Sequence, residues 1–142
     1  MKALREAGLL LVMAALPALL GGWYHFHRQT LAWTKVLADE VEWTEVERWT
    51  GPVLWIDART ADAFAAQHVP GAVRLNEGEW ERLLPGFLEA WQPEQRIVVY
   101  CDSRACDASQ GVAQRLRREL NLTEIHVLKG GWNAWLQAHP GK

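Results

Sequence analysis

The run Ile97-Val98-Val99-Tyr100-Cys101-Asp102-Ser103-Arg104-Ala105-Cys106-Asp107-Ala108-Ser109 begins with the pattern of a strand and ends with that of a helix, with a cysteine at the change. Four consecutive apolar or aromatic residues, Ile97 to Tyr100, fit a strand buried on both faces. Ala108, Val112, Leu116 and Leu120 then recur at helical spacing. Cys101 is thereby placed at the carboxyl end of a strand, the edge of an open α/β sheet where ligands bind. The helix start that follows offers backbone N–H groups and the positive end of a dipole, and both favour a thiolate. Asp102, Ser103 and Arg104 are polar and give Cys101 no apolar reason for burial, so a reactive thiol is favoured over a merely packed one.

Working outward, Thr44-Glu45-Val46-Glu47 has the form of a capping box and predicts a short helix to about Trp49. Gly51-Pro52 ends it, and Val53 to Ile56 reads as a buried strand closing at Asp57. Thr60 caps a helix to about Gln67, Pro70-Gly71 punctuates, and Ala72 to Leu75 is a short strand. Asn76 opens a further helix with Trp80, Leu83, Leu84, Phe87, Leu88 and Trp91 on one face and a bend at Pro85. After the helix Asp107 to Leu120 come a strand, Ile125 to Leu128, and a last helix around Gly131 to Ala138. Strands alternating with helices predict a parallel sheet covered on both faces, joined by right-handed crossovers.

Residues 7–26 hold no Asp, Glu, Lys or Arg and are rich in leucine. Twenty such residues are long enough to span a bilayer core as a helix of about 30 Å. Trp23 and Tyr24 suit an aromatic belt, and no Ala-x-Ala cleavage site is present, which favours an anchor over a cleaved signal. Lys2 and Arg5 bias the amino terminus to the cytoplasm and the rest of the chain to an extracytoplasmic, periplasmic location, against the competing pull of Arg28 and Lys35. The expected organisation is an anchor or uncleaved signal over 1–28, a linker over 29–42 and one α/β domain over 43–142.

Composition excludes several classes. The 142 residues carry a formal net charge of −2 with both signs interspersed, and no basic stripe marks a nucleic-acid partner. Two cysteines are too few for a disulfide framework, and none of the five histidines stands at ligand spacing from them, so no metal is expected. No glycine-rich phosphate loop of either common type occurs, so no nucleotide or organic cofactor is expected. Nine tryptophans are many for this length, and those in Trp55, Trp80, Trp91, Trp132 and Trp135 fall in core-like patterns.

Four segments together resemble the rhodanese superfamily over about Thr44 to Ala138. They are Ile56-Asp57-Ala58-Arg59, His68-Val69-Pro70-Gly71-Ala72, Val98-Val99-Tyr100-Cys101 and Leu128-Lys129-Gly130-Gly131-Trp132-Asn133-Ala134-Trp135. The resemblance implies a rhodanese-like fold with about five mainly parallel strands. It also implies a sulfurtransferase in which Cys101 is the catalytic cysteine and carries sulfane sulfur as a persulfide. The donor would be small, such as thiosulfate or a persulfide, and the acceptor a thiol or other thiophile. The substrate-binding loop of the family maps onto Cys101, Asp102, Ser103, Arg104, Ala105 and Cys106, where converging amides would stabilise the persulfide anion. Asp57 and Arg59 are read as a structural pair tying their strand to the His68 loop, and His68 as a satisfied structural histidine.

Two positions depart from the family pattern. Asp102 follows the nucleophile where arginine is frequent, and it should oppose both the thiolate and dianionic thiosulfate. Cys106 ends the loop where a basic residue or threonine is common, and the loop is too short, and lacks the arginine, for the related phosphatases and arsenate reductases. Cys106 also opens an alternative, a resolving thiol that closes a disulfide with Cys101 when their Cα atoms come within about 7 Å. The chain would then be a membrane-tethered thiol–disulfide redox or partner-binding module.

Overall fold

The computed structural model describes residues 40–102 and 107–141. The expected anchor over 1–28, most of the linker, and Ser103, Arg104, Ala105 and Cys106 lie outside the described residues. Among the described residues no helix is long and apolar enough to cross a membrane.

Five strands, β1 (Glu40–Val41), β2 (Val53–Asp57), β3 (Val73–Arg74), β4 (Arg96–Tyr100) and β5 (Ile125–Leu128), form one sheet in the order β1-β5-β4-β2-β3. Every pairing is parallel. The helices are α1 (Trp43–Val46), α2 (Ala61–Ala66), α3 (Trp80–Ala90), α4 (Asp107–Leu120) and α5 (Gly131–Ala138), with a short 3-10 turn at Glu77–Glu79 before α3. Apart from β1, which falls in the segment expected to be linker, the strands and helices follow the order expected from the sequence.

Strand β4 is central because it can be buried on both sides. Side chains alternate across a strand, so Ile97, Val99 and Cys101 join one core with Leu54, Ile56, Phe87, Val112 and Leu116. Val98 and Tyr100 join the other, with Val41, Val46, Val69, Leu128, Trp132 and Trp135. Cys101 therefore faces the α3 and α4 side of the sheet, and Tyr100 the α5 side.

Three local expectations differ from the structure. Thr44 caps nothing: α1 already starts at Trp43, with Glu42 at its amino end and no side-chain cap. The helix here is set by packing of Val46 and Trp43 into the second core rather than by local capping. The strand expected over Ala72 to Leu75 is only Val73–Arg74, because this edge strand pairs with β2 at just Ile56 and Asp57. Leu88 stands at the margin of the apolar stripe of α3 and is exposed, whereas Trp80 and Phe87 are buried. Thr60 and Asn76 do cap as expected, accepting from Ala63 N–H and Glu79 N–H, and α3 runs through Pro85.

Candidate active site

The site lies beyond the carboxyl ends of β2 and β4. Cys101 follows β4 directly and is buried. Its carbonyl accepts the Trp132 N–H at 2.6 Å, which seats the first turn of α5 against it. Gly130 and Gly131 make that approach possible: both hold positive φ, +84° and +53°, a region that side chains disfavour. On the other side of the sheet edge, Cys101 Sγ is 3.4 Å from the hydroxyl of Ser109, which lies buried in the first turns of α4.

Cys101 is disulfide-bonded, and no described cysteine is a free thiol. The sequence holds one other cysteine, Cys106. Asp102, next in the chain, is exposed. Of the loop residues named from sequence, Cys101 and Asp102 are therefore placed at the sheet edge.

Asp57 and Arg59 form the buried pair expected from the sequence. Arg59 donates from its backbone N–H and from Nε to Asp57 Oδ1, both at 2.9 Å, and from Nη2 to Asp57 Oδ2 at 2.7 Å. Nη2 also donates to the carbonyl of Gln67 at 2.7 Å, which ties β2 to the segment before His68. The Tyr100 hydroxyl completes the tie: it donates to Asp57 Oδ2 at 2.7 Å and accepts from Val69 N–H at 3.1 Å. Burial works against the Arg59 charge, yet the hydrogen bonds and charge of Asp57 hold its pKa above the ordinary value. His68 bonds the Phe64 carbonyl at 2.8 Å and stacks on the Phe64 ring, a satisfied histidine.

The pair reaches further than the sequence reading gave it. The guanidinium lies over the Trp132 ring, 4.6 Å from its centroid, and Nη1 is 3.6 Å from Asp102 Oδ1. Arg59 is thus connected to the residue that follows Cys101. Ser109 was also absent from the sequence-based site. Its signal was present: with Val112, Ala113 and Leu116 it occupies the buried face of α4, and a hydroxyl on an apolar stripe calls for a partner. Among the described residues no group of three or more His, Cys, Asp or Glu is arranged to hold a metal ion.

A parallel sheet whose central strand delivers a cysteine to its carboxyl edge, between two helix starts, defines an α/β domain with a candidate site at that edge. A model of the rhodanese-like domain matches residues 40–138. Thiosulfate sulfurtransferase GlpE of Coxiella burnetii is 31% identical over 84 residues, which is 59% of this chain and 72% of that protein. A Bacillus halodurans protein shares the fold with a TM-score of 0.57 at 19% identity, covering 79% of this chain and 81% of its own. A rhodanese-related protein from Thermoplasma volcanium does so with a TM-score of 0.51 at 13% identity, over 70% of this chain and 92% of its own. The chain belongs to the rhodanese-like family.

Proposed function

We propose that the protein is a sulfurtransferase that carries sulfane sulfur on Cys101. The observation that supports this most directly is the position of Cys101 at the carboxyl end of β4, with Ser109 Oγ within hydrogen-bonding reach of its sulfur. In the first step the reduced Cys101 thiolate attacks the outer sulfur of a donor. The new S–S bond forms as the donor's own S–S bond breaks, and the electron pair leaves with sulfite from thiosulfate, or with a thiolate from an organic persulfide. In the second step an acceptor thiolate attacks the outer sulfur of the Cys101 persulfide, and the Cys101 thiolate leaves. The Ser109 hydroxyl donates to whichever sulfur anion stands there.

A second reading is favoured by the disulfide on Cys101. Cys106, the other cysteine of the sequence, is its natural partner, and a thiolate at Cys106 attacking the Cys101 persulfide would release hydrosulfide and close that bond. A dithiol reductant then restores both thiols. The pair makes the protein a thiol–disulfide module in its own right if sulfur never enters the cycle. We also propose that residues 1–28 anchor the protein in a membrane with the rhodanese-like domain extracytoplasmic, which protease protection of right-side-out and inverted vesicles tests.

The deciding experiment is the intact mass of the full chain, reduced, desalted and then exposed to thiosulfate or glutathione persulfide. One added sulfur atom that is absent from Cys101→Ser supports the transferase. No uptake by the reduced protein, or equal uptake by Cys101→Ser, overturns it. Loss of two hydrogens on oxidation with no sulfur uptake leaves the redox module.

A further inference from the structure

The second core holds a closed circuit of aromatic rings. Tyr100 stacks on Trp132 with centroids 6.1 Å apart, Trp132 on Trp135 at 4.9 Å, and Trp135 on His139 at 4.4 Å. His139 meets Trp43 edge to face at 4.9 Å, Trp43 stacks on Trp55 at 5.8 Å, and Trp55 returns edge to face to Tyr100 at 6.2 Å. Packing alone accounts for such separations. The polar groups set at Tyr100 add a chemical property to the packing.

The fully buried phenol donates to Asp57 Oδ2 at 2.7 Å, within reach for proton transfer, and its oxygen accepts from Val69 N–H at 3.1 Å. A phenol that loses one electron becomes a strong acid. Here its proton has a carboxylate to go to, and the oxygen left behind keeps a hydrogen-bond donor. Two of the indoles are set differently. Trp43 Nε1 is buried without a hydrogen-bond partner among the described residues, so an oxidised Trp43 keeps its proton and its positive charge. The Arg59 guanidinium lies 4.6 Å from the Trp132 centroid and opposes a positive charge on that ring. A neutral phenoxyl at Tyr100, 5.5 Å from the same guanidinium, meets no such opposition.

We infer that Tyr100 is the terminus of a one-electron relay: an oxidising equivalent that enters at Trp43, Trp55 or Trp135 moves ring to ring and comes to rest on Tyr100. In the first step an inorganic radical oxidant, of the azidyl class, accepts an electron from an indole and leaves as its anion, and the indole becomes a radical cation. In the second an electron passes from Tyr100 to that cation as the phenol proton passes to Asp57 Oδ2. The indole is restored, and a neutral phenoxyl stands beside a neutral carboxyl, while Arg59 keeps its bond to the Gln67 carbonyl. Tyr100 belongs to the α5 face of the sheet and Cys101 to the α3 and α4 face, so the radical rests across the sheet from the sulfur. The relay asks nothing of sulfur transfer.

The test uses the full-length protein in its disulfide state, where no thiolate competes, with azidyl radical delivered by pulse radiolysis, which oxidises indoles in preference to phenols. The indolyl absorption should decay as phenoxyl absorption grows in its place, at a rate independent of protein concentration. The growth should be slower in deuterium oxide, because a proton moves with the electron. The chain has two tyrosines, Tyr24 and Tyr100, so the source of the phenoxyl can be assigned. Tyr100→Phe should lose the growth. Tyr24→Phe should keep all of it, and this variant reads Tyr100 in its native core even where Tyr100→Phe folds poorly. A structural role for the hydroxyl predicts no phenoxyl growth in any of the three. No growth in the wild type, its loss in Tyr24→Phe, its persistence in Tyr100→Phe, or a rate that scales with protein concentration or ignores deuterium oxide overturns the proposal.

Discussion

Replacing Tyr100 by Phe removes one oxygen from a fully buried junction between three segments. The hydroxyl donates to Asp57 Oδ2 at 2.7 Å and accepts from the buried Val69 N–H at 3.1 Å. Without it the Val69 donor is left without a partner, at a cost of about 1–3 kcal/mol, and a carboxylate loses a donor of the kind that contributes about 1.5–3 kcal/mol. Asp57 keeps its Arg59 donors, so the second contribution falls at the low end, and the total is about 3 kcal/mol. For a domain of this size each kcal/mol moves the midpoint by several degrees, so the melting temperature should fall by roughly 15 °C. Urea unfolding of wild type and Tyr100→Phe in one redox state, compared at equal m-value, measures the loss directly. Burial, with the Asp57 hydrogen bond, pushes the phenol above its ordinary value of 10.0. A proton held more tightly in the folded state stabilises it fully below the unfolded pKa, and that contribution is lost as pH rises beyond it. The gap between the two proteins should therefore hold steady from about pH 6 to 9 and change only above about pH 10. A loss below about 1 kcal/mol would refute the reasoning, because it would mean that the buried Val69 donor is satisfied without Tyr100.

Ser109→Ala should slow alkylation of reduced Cys101 about tenfold near neutral pH and move the pH–rate profile upward, since the hydroxyl favours the thiolate; an unmoved profile would leave Ser109 a packing residue. Gly130→Ala should cost about 1–2 kcal/mol in thermal or urea unfolding, because it forces a side chain into φ +84° and sets its Cβ 3.1 Å from that of Ala134. Hydrogen bonds from Arg74 and then Arg82 hold the Glu79 carboxyl down at about 2 from 4.5. A depressed carboxyl stabilises the fold above its unfolded pKa and loses that contribution as pH falls, so the difference in melting temperature between wild type and Glu79→Gln should shrink between pH 4.5 and about 2.

What could be read from the chain divides by the range of the interaction that sets it. The helix Asp107–Leu120, the strand Ile125–Leu128 and the helix Gly131–Ala138 have the bounds their patterns predict, because apolar period and turn residues specify them locally. Strand β1 was not legible: its two residues lie in the segment read as linker, and they become a strand through pairing with Val127 and Leu128, far along the chain. Thr44-Glu45-Val46-Glu47 misled for the converse reason, since a valid local motif yields to packing of Trp43 and Val46. At the site, the strand-end cysteine was legible from the run around it. The approach of Arg59 to Asp102 was not, because it depends on the parallel register that sets Asp57 opposite Tyr100 and so brings the two strand ends together.

That register also explains where the fold keeps its buried polar side chains. Among the described residues those are Asp57, Arg59 and Ser109. All three stand at or just beyond the carboxyl edge of the sheet, and each leads to Cys101 or its neighbour: Ser109 through its hydroxyl, Arg59 through Asp102, and Asp57 through Arg59. Burying an ion pair costs desolvation that its own attraction often fails to offset, so stability alone does not account for one here when an apolar pair could fill the space. Geometry does. The pair fixes the direction of a guanidinium to within its hydrogen bonds, and Tyr100 extends that restraint to the strand that ends in the cysteine. Polar groups that the core would otherwise exclude are thus concentrated around the strand end that carries Cys101, and the rest of the sheet is left apolar.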